Sequence, residues 1–156
     1  MIPSEEYARL LGYPPGKLLE GDVLERAERA TAWYDRYGHP RVFIRDSVAA
    51  LTAGAEVEEE IARLWKEDRV DEAYFLDRFA AGVAEHLARS IGVSPGSQGW
   101  NIERQFELMK ILGPGAPVEL LPSGMLKPVN SLLAVVTGES TTCASCDFRC
   151  DFRRTA

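Results

Sequence analysis

Cysteine is absent from the first 142 residues of this 156-residue chain; all three, Cys143, Cys146 and Cys150, fall in the last fourteen. Positive charge is also in short supply. Eighteen lysines and arginines face 24 aspartates and glutamates, a formal net charge of −6. A surface that binds phosphate backbones needs the opposite balance, which excludes nucleic acid as the main partner. No run approaches the ~20 consecutive apolar residues that cross a bilayer. The opening MIPSEEYARLLGY lacks a basic stretch followed by an apolar one, so no secretory leader is expected. The predicted compartment is the cytoplasm, where thiols stay reduced and clustered cysteines read as a metal or redox site before a structural disulfide. With two histidines, His39 and His86, and scattered acids, no Ser–His–Asp or paired-carboxylate site can be assembled. An independent hydrolase is therefore not expected. Nor does the chain contain an internal repeat.

What is present is a globular composition, 46% hydrophobic and 27% charged. It predicts one domain over residues 1–142, with a core of useful size, and a cysteine- and arginine-bearing tail over 143–156. Ser4 reads as the N-cap of a short helix stopped at Gly12. Asp22 and Glu25 read as a capping-box start to a second helix, with Val23, Ala27, Ala30 and Tyr34 on one face. Arg41 to Arg45 is a strand, and Ser47 to Leu51 a second strand or its continuation. Val57, Ile61, Leu64 and Trp65 mark a third helix. The longest helix runs from about Asp71 to Ser90, with Phe75, Phe79, Val83 and Leu87 four residues apart, and is expected to cover a sheet. Ile102, Phe106 and Met109 carry a fifth helix, and strands follow at Val118 to Leu121 and Ser131 to Thr137. Strands and helices do not alternate regularly. The fold class predicted is therefore α+β, with an antiparallel or mixed sheet joining Val42–Ile44 to Leu132–Val136.

Three segments carry candidate chemistry. The C-x2-C-x3-C spacing of Cys143, Cys146 and Cys150 lets three soft sulfurs meet one ion, which suits zinc, copper(I) or an iron–sulfur cluster. The same residues also allow a Cys143/Cys146 dithiol pair or inert surface thiols. His39 and His86 are the histidines from which a fourth ligand could come, although each has an ordinary structural reading. Arg149, Arg153 and Arg154 form a small cationic end, either a solvated tail or a site for a carboxylate or phosphate. The loop Ser94-Pro95-Gly96-Ser97-Gln98-Gly99 runs through Trp100 into a helix, where backbone N–H groups can meet an anionic ligand. Such loops also simply turn the chain. The last segment is LLPSGMLKPVNSLLAVVTG, a turn feeding a hydrophobic strand. Trp33, Trp65 and Trp100 read as core or core-edge residues, with Trp100 also placed to meet a ligand. Glu56 to Glu60 read as the acidic first turn of a helix.

Together these segments resemble the activation (reactivation) domain of cobalamin-dependent methionine synthase, and more closely its small stand-alone relatives. A Tyr-x-x-x-Leu-Gly-Tyr run is matched by Tyr7 to Tyr13, and the likeness continues through GAEVEEEIARLWKEDRVDEAYFLDRFAAGVAEHLA. An Arg-x-x-Pro-Gly-Tyr loop is matched in part by Gly92 to Ser97. A Ser-x-x-Met-x-Pro-x-x-Ser type segment is matched by Ser123, Pro128 and Ser131, with Met125 or Leu126 nearby, and CASCDFRCDFR echoes the relatives' cysteine-and-arginine ending.

The resemblance implies a twisted antiparallel sheet flanked by helices, and a module that binds S-adenosylmethionine. It presents the methyl group to a neighbouring cobalamin domain. There, with an electron from a flavin-type reductase, methylcobalamin is restored from cob(II)alamin. The implied ligand residues are Ser94, Pro95, Gly96, Ser97 and Trp100 from the loop, with Ser123 and Met125 from the turn. The implied partner is a cobalamin-binding methyltransferase subunit or domain. Gly92 stands where the family carries arginine, and Ser97 where it carries tyrosine. A glycine cannot replace a charge-assisted pair with a carboxylate, so weak or undetectable S-adenosylmethionine binding is expected. The stretch from Phe43 to Gly54 is also shorter than in the family. Two rival readings remain open: a three-cysteine metal or thiol-redox module that has lost the ligand, and a structural or interaction subunit.

Overall fold

The computed structural model describes residues 2–93 and 101–136. Helix α1 (Ser4–Leu10) and helix α2 (Gly21–Tyr37) open the fold. Ala27, Ala30 and Tyr34 of α2 are buried on one face, as their spacing predicts, with Val23 packed beside them. Neither expected cap forms. The ladder of α1 starts at Pro3, whose carbonyl accepts from the Tyr7 amide at 3.0 Å, and Glu20 precedes α2. Ser4 and Asp22 therefore sit inside the first turns, where Asp22 faces the positive end of the helix dipole instead.

Strand β1 (Arg41–Arg45) turns through Asp46 and Ser47 into β2 (Val48–Thr52). Both turn residues have positive φ, 49° and 60°, the backbone of a two-residue hairpin. The second apolar run is thus a separate strand. Helices α3 (Ala55–Lys66), α4 (Val70–Ser90) and α5 (Ile102–Leu112) follow, and then β3 (Glu119–Leu120), β4 (Leu126–Lys127) and β5 (Ser131–Val135). Three strands form an antiparallel sheet in the order β1-β2-β5, with Ala50 opposite both Phe43 and Leu133. β3 and β4 pair as a separate antiparallel hairpin. The chain is α+β, and the two predicted outer strands do share one sheet.

All five residues of the central β2 are buried, since each of its faces meets a helix. Ala49 and Leu51 pack with Ala88 and Val93 at the end of α4, whereas Val48 and Ala50 pack with Leu108 and Leu112 of α5. The long helix covers the sheet only with its last turns. Its earlier stretch, Phe75 to Val83, packs among helices against Tyr7, Ala27, Tyr34, Val57 and Leu64. The side of α5 that meets the sheet differs from the expected one. Leu108 and Leu112 are buried, while Ile102 and Phe106 are exposed and Met109 is half-buried. Trp65 is 58% exposed, contrary to its reading as a core or core-edge residue, because the buried side of α3 is set by Val57 and Leu64. Among the described residues, no helix is long and apolar enough to cross a membrane.

Candidate functional site

Ser123 and Met125 lie in the β3–β4 turn. Its backbone closes by two bonds of 2.8 Å, from the Leu121 amide to the Met125 carbonyl and from the Gly124 amide to the Leu121 carbonyl. Ser123 Oγ accepts from the Met125 amide at 3.4 Å, and both side chains are exposed. The turn is pressed against the start of α5. A Cβ added at Gly124 would stand 2.6 Å from Ile102 Cγ2, and Gly124 has φ +84°, so both packing and backbone call for glycine here. Gln105, one turn further along α5, donates its side-chain amide to the Gly124 carbonyl at 3.1 Å.

That helix start is where the loop 94–100 joins the described chain. Asn101 caps α5, its side-chain oxygen accepting from the Arg104 amide at 2.9 Å. At the other end, Val93 is buried against Ala49, Leu51 and Ala134. Ser94, Pro95, Gly96, Ser97 and Trp100 themselves lie outside the described residues, as do Cys143, Cys146 and Cys150. What the fold brings together is therefore the Ser123–Met125 turn and the helix into which the glycine loop leads.

Gly92 has a clear structural role. The Val93 amide bonds back to the Ala88 carbonyl at 2.9 Å and the Gly92 amide to Arg89 at 3.0 Å, while Gly92 takes φ +79°. This is a left-handed helix terminus, the position glycine favours after a last turn. Among the described residues, no atom beyond the chain neighbours lies within 4 Å of a Cβ placed there, and the position carries no side chain. A carboxylate partner is not available from this position. The turn thus presents the Ser123 hydroxyl and the Met125 thioether, and residue 92 carries no cation that could meet a carboxylate.

Two polar clusters hold the strand that follows the turn. Asn130 donates to Asp77 Oδ1 at 3.1 Å, and the Asn130 carbonyl accepts from the Ala53 amide at 2.9 Å. Ser131 Oγ donates to Thr52 Oγ1 at 2.9 Å, and that oxygen also accepts from the Gly54 amide at 3.1 Å. Ser131, matched to the family's segment, is therefore a buried brace between β5 and β2 rather than a ligand contact. Thr52, Asp77, Asn101, Gln105 and Asn130 were not singled out from sequence. Only Asn101 had a readable signal, a capping residue directly before an apolar helix.

The two histidines differ in their surroundings. The His39 amide donates to Glu56 Oε1 at 2.5 Å, and Nδ1 lies 3.4 Å from the same oxygen; His86 is exposed on α4. Among the described residues, no three His, Cys, Asp or Glu side chains are grouped to hold an ion. Titration is perturbed away from the junction. Burial, and secondly the charge of Glu56, pushes the Tyr34 phenol well above its ordinary value, while burial and then Tyr74 raise Tyr7. Both phenols donate to carbonyls, Tyr34 to Ala53 at 2.6 Å and Tyr7 to Phe75 at 2.7 Å. They are structural groups. No protein-family model and no curated protein matches the chain.

Proposed function

We propose that the chain is a stand-alone reactivation-type accessory protein of cobalamin-dependent methyl transfer, acting on a cobalamin-bearing methyltransferase partner rather than turning over substrate alone. The observation that carries this reading is the seating of the Ser123–Met125 turn on the first turn of α5, through Ile102 and Gln105, where the glycine loop enters. Ile102, two residues beyond the glycine loop in sequence, and the turn matched to the methionine synthase activation domain are thereby neighbours, which supports the reading. S-adenosylmethionine is the ligand of this reading, held weakly through backbone groups and the turn, because Gly92 supplies no arginine. In such a module the protein binds and orients, and the hard chemistry belongs to the cofactor.

The role of Gly92 as a helix stop favours a second reading, in which ligand binding has been lost and Cys143, Cys146 and Cys150 serve as a zinc, iron–sulfur or thiol-redox site. The two are separated by mixing the chain with a cob(II)alamin-loaded cobalamin domain of methionine synthase and measuring association by sedimentation velocity. The accessory reading requires a complex. Its absence at high concentration of both proteins, together with bound metal in anaerobically purified chain, would favour the second.

A further inference from the structure

Going beyond the corrinoid reading, we infer that a groove between α1 and α2 docks an amphipathic, basic helix of a partner protein. The groove has a volume of about 480 Å³ and an apolar floor of Ile2, Tyr7, Leu19, Ala27 and Phe79. Along α2 it is lined by Leu24, Glu28, Thr31 and Asp35, at steps of four, three and four residues. At 1.5 Å of rise per residue that wall is about 16 Å long, three turns of helix. A slot of that length suits a helix laying down an apolar stripe better than a compact small molecule. Leu18 and Leu24 stand at its edge, 69% and 39% exposed. Two large apolar side chains beside one apolar floor make a contact surface rather than scattered exposure.

Charge selects the occupant. Glu5, Glu28 and Asp35 are exposed on the lining, with Lys17 as the opposing charge, and none of these four is ion-paired among the described residues. The neighbouring cleft differs: there Arg63 is bonded to Glu60, and Arg69 to Glu72 at 2.5 Å. An excess of unpaired carboxylate around an apolar floor favours a cationic amphipathic segment. It also disfavours a second copy, since the chain carries −6 overall.

The test is a titration of the full chain with a labelled synthetic helix of about 18 residues, long enough to be helical. Leucines at i, i+3, i+4 and i+7 form its stripe, with lysine elsewhere. Glu28→Lys combined with Asp35→Lys should weaken binding by tenfold or more, about 1.4 kcal/mol. Leu18→Asp should do the same. Glu103→Lys combined with Glu119→Lys, the same change of net charge at remote exposed positions, should leave it within a factor of about two. All three variants alter exposed side chains, and matching thermal melts establish that each is folded. Equal loss in the remote variant would overturn the proposal, as would equal affinity for a helix with glutamate in place of lysine. A homodimer that dissociates on Leu18→Asp would also overturn it, by assigning the groove to a second copy.

Discussion

Gln105 and Gly124, nineteen residues apart, are joined by a hydrogen bond of 3.1 Å from a helix side chain to a turn carbonyl. That bond fixes the exposed Ser123 and Met125 beside the helix start, and the candidate ligand junction depends on it. Gly124→Ala should lower stability by about 1–3 kcal/mol, from overpacking against Ile102 added to an unfavourable positive φ. Adding Ile102→Ala should recover part of that loss by removing the crowded methyl. Chemical denaturation of the two single variants and the double variant measures the coupling. Strict additivity would show that the turn does not rest on α5.

The Thr52–Ser131 brace makes a second prediction. Thr52→Val keeps the shape but removes the oxygen that accepts from both Ser131 and the Gly54 amide. Leaving a buried amide unsatisfied costs about 1–3 kcal/mol. Ser131→Ala removes a donor and should cost less. The ratio of the two denaturation midpoints checks this order.

The architecture was legible where spacing is periodic and burial one-sided. The stripe Ala27, Ala30 and Tyr34, the Arg41–Arg45 strand and the shared sheet all follow from such patterns. The sides of α5 and α3 were not legible. Ile102 and Phe106 are as apolar as Leu108 and Leu112, and only tertiary placement decides which pair meets β2. The junction was half legible, since its two segments were visible as motifs. Gln105 was not, because a lone glutamine on a helix carries no sign that it will bond to a turn carbonyl. The caps expected at Ser4 and Asp22 fall one and two residues earlier, at Pro3 and Glu20, as capping residues within a polar first turn can.

Alkaline pH should expose the buried phenols. The pKa values of Tyr7 and Tyr34 are raised in the folded state, chiefly by burial, so the folded chain retains protons that the unfolded chain releases. Their stabilisation is full below the ordinary phenol range and is lost as pH rises through it toward the folded values. Tyr34→Phe should flatten the alkaline fall in melting temperature. Ultraviolet difference titration should show two phenols resisting ionisation until the chain unfolds; five titrating normally would contradict the assignment.

Gly92→Arg separates the two roles of that position. The left-handed backbone should cost about 1 kcal/mol in stability, while no clash with the described residues opposes the first carbon of the side chain. If the missing arginine is what weakens S-adenosylmethionine binding, the variant should bind about ten- to a hundredfold more tightly, corresponding to 1.5–3 kcal/mol. Calorimetric titration of both proteins reads the difference. Micromolar affinity of the unmodified chain would show that arginine is not needed there.

Cys146→Ser addresses the C-terminal cysteines. A thiolate site built from Cys143, Cys146 and Cys150 should hold zinc or an iron–sulfur cluster in reduced protein, release protons on binding, and lose the metal in this variant. Elemental analysis after anaerobic purification checks it. No metal, with three thiols reacting as in a free peptide, would reduce the segment to exposed thiols. Rapid formation of a Cys143–Cys146 disulfide under mild oxidant would instead favour the redox reading.

The measurement closest to the central claim is reductive methylation of a cob(II)alamin-loaded cobalamin domain of methionine synthase. It is followed by the methylcobalamin spectrum in the presence of a low-potential reductant and excess S-adenosylmethionine. The accessory reading predicts faster formation of methylcobalamin when this chain is added, with the gain reduced in Gly124→Ala. An unchanged rate at saturating ligand and chain, with the protein folded, would contradict it.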